Sequence, residues 1–150
     1  MAKRKTFEDI LNSEFRWPAP GDKPFVVADD PFDNANIAND GFTRLVLMKE
    51  GYKSAADLMV QAAASDRQTR DILVFPIIFN YRQFLELTLK YQLATFGPEV
   101  GIQPNWRSHD LAVLWSEFLA MLEHYGTDDP DEADPVVGKI ILEFAKIDPG

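Results

Sequence analysis

Apolar residues recur most regularly near the C-terminal third of the chain. Leu111, Leu114, Trp115, Phe118, Met121, Leu122 and Tyr125 fall at the three- and four-residue intervals that stack side chains on one helical face. The spacing predicts an amphipathic helix over 108–125, with Ser108 as its N-cap. A second such face, Val136, Val137, Ile140, Ile141 and Phe144, follows Asp134 and Pro135, an N-cap and first-turn pair. All five apolar residues are expected to face inward.

Upstream, the helical period starts at Phe42, runs through Leu45, Val46, Leu47 and Met48, and resumes at Ala56, Met59, Val60 and Ala63. Gly51 lies between the two halves and either splits them or weakens one helix. A long helix is expected over 69–95, with a kink or a fresh start near Pro76, which lacks the N–H a helix interior needs. Phe96, Gly97 and Pro98 supply its stop signal. At the other end, Thr6 caps a short helix with Phe7, Ile10, Leu11 and Phe15 on one side.

Residues 16–41 hold four prolines and two glycines among Asp and Asn, which predicts extended loop. Trp17, Phe25, Val26 and Val27 are expected to pin that loop to the body; a short strand over 25–28 is the alternative. No sheet pattern appears elsewhere. The fold class is therefore all-α: an up-and-down bundle of five or six helices in a single domain, 1–150. Residues 1–41 form a short helix plus extended segment packing on the body, and 42–146 form the bundle.

The helix over 69–95 has no clean polar face. Within FNYRQFLELTLKYQL, Arg82, Glu86 and Lys90 recur every four residues, at about 0°, 40° and 80° on a helical wheel, while Phe, Tyr and Leu take most other directions. Such a helix is central in a bundle or covered by a second subunit. Arg82 and Glu86 then form either a self-satisfied i,i+4 ion pair at the edge of the core or the floor of a polar pocket. Lys90, furthest round, is expected to reach water.

Composition narrows the chemistry. With 150 residues, 46% of them apolar, the chain can bury a core. A net charge of −9 disfavours nonspecific nucleic-acid binding, which draws on surplus Lys and Arg. The absence of cysteine excludes disulfides, thiolate nucleophiles and Cys-based metal sites. The basic start meets Glu8 and Asp9 before any apolar run, unlike a signal peptide, and no run reaches the roughly 18 apolar residues of a membrane span. A cytoplasmic protein without membrane attachment is expected.

His109 and His124 are the only histidines. They stand 15 residues apart, about 22 Å along one helix, too far to share a metal ion. His109 beside Asp110 at a helix start reads either as a polarised imidazole or as an ordinary capping turn. Phosphate loops, HExxH, GxSxG and calcium-loop patterns are absent, and the acidic stretch 128–134 reads as solvated loop. No metal or cofactor is expected.

Two segments together, FPIIFNYRQFLELTLKYQL and HDLAVLW, resemble the pattern of HEPN-type helical domains from bacterial and phage-defence proteins. The matching positions are Tyr81, Arg82, Glu86, Leu89, Lys90, His109, Asp110, Leu111 and Trp115, and the match spans 42–146. The resemblance implies an α-helical up-and-down bundle, often dimeric, acting in some members as a metal-independent RNase and in others as an inactive binding relative. Similar proteins continue beyond the equivalent of the final KIDPG, so a shortened domain is one alternative.

The chain departs from the family's RNase signature, an Arg followed four to six residues later by a His. Here Arg107 is separated from His109 by one residue. The resemblance thus points first to a noncatalytic binding domain, a homodimer in family terms, with Arg82, Glu86, Tyr81 and Asp110 lining its pocket. The second reading is a metal-independent RNase or toxin using His109 and Arg107. A third is an acidic decoy that inhibits a nucleic-acid-binding protein.

Overall fold

A computed structural model describes residues 19–23, 26–27, 29–35, 37–38, 40–126 and 133–147. The chain divides into two compact units, Met1–Asn36 and Ile37–Gly150. The helix expected at 6–15, together with Trp17 and Phe25, lies outside the described residues. In the first unit, a turn around Gly21 and a short 3-10 turn, Pro31–Asp33, are each closed by an aspartate: Asp22 accepts from the Ala19 amide at 2.7 Å and Asp30 from the Phe32 amide at 2.9 Å. Val26 and Val27, expected to pin this segment, are exposed. The described residues contain no strand.

Among the described residues the second unit carries four α-helices: α1 (Gly41–Ala63), α2 (Arg67–Phe96), α3 (Leu111–Tyr125) and α4 (Ala133–Ile147). Gly51 and Pro76 interrupt neither α1 nor α2. Aspartates start both: Asp40 accepts from the Thr43 amide at 2.7 Å, and Asp66 from the Thr69 amide at 2.8 Å. α1 and α2 form an antiparallel hairpin in which fully buried Ala56 and nearly buried Ala63 face α2 across small side chains. Tyr81 Oη donates to Asp57 at 2.7 Å, and Lys53 pairs with the same carboxylate at 2.7 Å. Phe42 stacks at a tilt on Tyr91 with centroids 4.8 Å apart.

α2 stops where the backbone must tighten. It passes into a 3-10 turn, Gly97–Val100, and the left-handed residue that releases the chain is Gly101, at φ 75°, not Gly97. Gly97 serves a different need: the Ile102 amide donates to its carbonyl at 2.9 Å, and a Cβ there would lie 2.4 Å from the Ile102 oxygen. Residues 101–110 then run back along α2, because Trp106 lies beside Lys90 and His109 beside Glu86.

α3 consequently begins beside the middle of α2 and ends near its C-terminus, where Tyr125 Oη donates to the Phe96 carbonyl at 2.9 Å. The two helices run in the same sense. The alternation of an up-and-down bundle therefore breaks at this step, since 97–110 spends its length returning rather than turning. Asp110 is the N-cap of α3, accepting from Ala112 and Val113, while Ser108 accepts only from the Asp110 amide.

The core joins Leu89 and Leu93 of α2, Leu111, Leu114, Trp115 and Met121 of α3, and Ile141 of α4. α4 approaches Trp115 at Gly138, where a Cβ would stand 2.8 Å from the indole nitrogen. That close approach rotates the inward face to Gly138, Ile141, Phe144 and Ala145, and turns Val136, Val137 and Ile140 outward, contrary to the expected face. Asp134 and Pro135 lie inside the first turn of α4 rather than at its cap. The residues over 67–100 are also long and apolar enough, by length and composition alone, to cross a membrane, a property the count of consecutive apolar residues did not register.

Candidate functional site

Three charged side chains of α2 are buried together. Arg82, Glu86 and Lys90 are each 2% exposed, one helical turn apart. Arg82 Nη1 donates to Glu86 Oε2 at 3.1 Å and Lys90 Nζ to Oε1 at 2.8 Å, so one carboxylate is held from both sides by cations of its own helix. Lys90 was expected at the water edge. It is covered because 101–110 passes over it, and its ammonium also donates to the Trp106 carbonyl at 3.3 Å.

His109 completes the cluster from above. Its Nδ1 lies 3.0 and 3.2 Å from the two Glu86 oxygens, and Arg82 Nη2 donates to its backbone carbonyl at 2.6 Å. A carboxylate can only accept, so Nδ1 carries a proton, and in the neutral ring Nε2 keeps the lone pair. The imidazole is 58% exposed while Glu86 beneath it is enclosed. A carboxylate-oriented histidine open to solvent has the geometry of a general base with its orienting partner.

Burial alone would raise the Glu86 carboxyl. The hydrogen bond and charge of Lys90, with His109 adding to both, reverse that and hold it below the usual carboxylate range. The arrangement thus keeps an ionised carboxylate in a dry setting. It also staples the returning connection to α2 at two backbone carbonyls, those of Trp106 and His109.

Of the residues expected at the site, Arg82, Glu86 and His109 converge. Tyr81 does not: one residue from Arg82 on the helix, it points to α1 and Asp57. Asp110 is spent on capping α3. Arg107 is exposed, and none of the cluster's contacts involves its side chain. His124 lies at the far end of α3, edge-on to Tyr125 at 6.1 Å. Sequence reasoning missed the Trp106 carbonyl, which as a backbone group leaves no trace in residue identity. Among the described residues, no group of three His, Asp or Glu side chains is placed to hold a metal ion.

The described residues also line hollows elsewhere. One of about 260 Å³ is lined by Gly41, Arg44, Leu45, Met48, Leu87 and Trp106, so it adjoins the cluster only through Trp106. A larger groove of about 620 Å³ runs between the ends of α2 and α3. Arg82, Glu86 and Lys90 form a buried ionic cluster with the His109 imidazole seated on Glu86. No protein-family model matches the chain, and neither does any curated protein or solved structure.

Proposed function

We propose that the chain is a HEPN-like helical domain of prokaryotic or phage origin, cytoplasmic and noncatalytic, that works by docking and pairs with a second copy of itself. The observation that carries this reading is the course of one stripe along α2. At about 100° per residue, Ile72, Phe75 and Phe79 share the 80° sector that also holds Arg82, Glu86, Lys90 and Leu93. From Arg82 onward the stripe is buried; before it, Ile72 is 64%, Phe75 77% and Phe79 50% exposed. A contiguous apolar patch of this kind supports an interaction surface, and α2 from a second copy offers the same stripe in return.

Sedimentation velocity over micromolar concentrations tests the pairing. The expected result is a dimer that Ile72→Asp with Phe75→Asp converts to monomer at unchanged helix content, both side chains being exposed. A monodisperse monomer throughout would count against it.

A second reading, a metal-independent endoribonuclease, draws on the exposed His109 imidazole seated on ionised Glu86. On that reading the purified protein cleaves RNA in EDTA and His109→Ala abolishes cleavage, whereas intact RNA at high protein concentration rejects it. The acidic-decoy reading finds less support. Within the second unit, Asp40, Asp66 and Asp110 cap helices and Asp57 and Glu86 are paired, so these carboxylates already serve local partners.

A further inference from the structure

The bonds that seat His109 on Glu86 also determine which ring nitrogen is left to react. Nδ1 is tied to the carboxylate at 3.0 and 3.2 Å, and the ring makes no other hydrogen bond among the described residues. With 58% of the side chain exposed, the unshared pair on Nε2 is free to meet molecules from solution. An imidazole in this state is a nucleophile as well as a base, because a carboxylate on one nitrogen pushes electron density toward the other. Positive charge that grows on the ring during attack is answered by Glu86, which is 3% exposed and therefore poorly screened.

The surroundings favour an anionic electrophile. Beneath the ring two cations, Arg82 and Lys90, share one carboxylate, so the buried cluster carries a net positive charge. Residues 101–109 add Arg107 and contain neither Asp nor Glu. Asp110 is the adjacent acid, and its carboxylate is turned into the first turn of α3, onto the amides of Ala112 and Val113. The positive end of that helix lies beside His109. A phosphoryl group is an electrophile that is itself anionic, and it suits this combination of nucleophile and charge.

We propose that His109 is a phosphoryl-accepting residue, modified at Nε2 by a donor of the phosphoramidate class. Nε2 attacks phosphorus, the Nε2–P bond forms as the donor's P–N bond breaks, and the leaving nitrogen departs with the electron pair of that bond. Nδ1 keeps its proton on Glu86 throughout, and nothing is oxidised or reduced. One P–N bond replaces another, so the exchange needs no further co-reactant. The inference does not rest on pairing through α2, and it differs from the endoribonuclease reading in using the imidazole as a nucleophile, with no RNA involved.

Reaction of the intact protein with phosphoramidate, followed by mass spectrometry and phosphorus NMR, tests it. His124 is the internal reference, since it is exposed too and has no carboxylate on its ring among the described residues. The expected result is one phosphoryl group on His109, added at least about tenfold faster than on His124, a factor that a charge-assisted hydrogen bond can supply. The adduct should be lost in acid, which a phosphoester on neighbouring Ser108 would survive. His109→Ala should leave only the slow reaction at His124. In urea-unfolded protein the two histidines should react at similar rates, because Glu86 then no longer holds Nδ1, and this comparison needs no variant to fold. No adduct on His109, a rate equal to that of His124 in the folded protein, or an advantage that persists after unfolding would overturn the proposal.

Discussion

Glu86→Ala is expected to lower the unfolding free energy by about 3–5 kcal/mol, the cost typical of removing one partner from a buried charge cluster. The side chain is 3% exposed, so solvent does little to screen the loss. Without the carboxylate, Lys90 keeps only a 3.3 Å bond to the Trp106 carbonyl, and His109 loses the acceptor for Nδ1. Urea denaturation of the two proteins measures the difference, and a loss below about 1 kcal/mol would show that the cluster is not a stabilising unit. The difference should also depend on pH. The folded-state Glu86 carboxyl lies below its ordinary 4.5, so its contribution is complete above that value and is lost as pH falls through the lowered one. The stability gap between wild type and Glu86→Ala is therefore expected to be constant near neutrality and to narrow in acid.

Two glycine substitutions should move stability in opposite directions. Gly97→Ala places a methyl 2.4 Å from the Ile102 carbonyl oxygen, a backbone atom that no rotamer change can move aside. Overpacking of this kind costs about 1–3 kcal/mol or more. Gly51 sits inside α1 with nothing within 4 Å of an added Cβ, so Gly51→Ala should gain about 0.5–1 kcal/mol through helix propensity. Thermal melting separates them at roughly 2–4 °C per kcal/mol for a chain of this size. Equal effects would mean that the turn after α2 yields to accommodate the methyl.

Local chemistry was legible in the sequence where it was settled locally. The period of Leu111 to Tyr125 identified α3, and the four-residue spacing of Arg82 and Glu86 made their ion pair one of two expected arrangements. Three features escaped because neighbours distant in sequence decide them. Lys90 is buried by the path of 101–110, which no wheel of α2 contains. The inward face of α4 is set by how closely Gly138 lets it approach Trp115, so Val136 and Ile140, apolar and correctly spaced, point outward. Ser108 was expected as the cap, but Asp serves that position equally well, and the side chain that reaches Ala112 and Val113 belongs to Asp110. The convergence of His109 on Glu86, by contrast, was foreseeable as a question though not as an answer: both residues stood out, and only the return of the chain along α2 joins them.

The fastening of that returning segment bears on how such a domain can change over evolutionary time. Arg82 and Lys90 grip the backbone carbonyls of His109 and Trp106, which every amino acid possesses. Exchanging the side chain at 109 or 106 therefore leaves these two bonds available. A lineage of such chains can acquire, alter or discard chemistry at the exposed imidazole position without surrendering the scaffold that presents it.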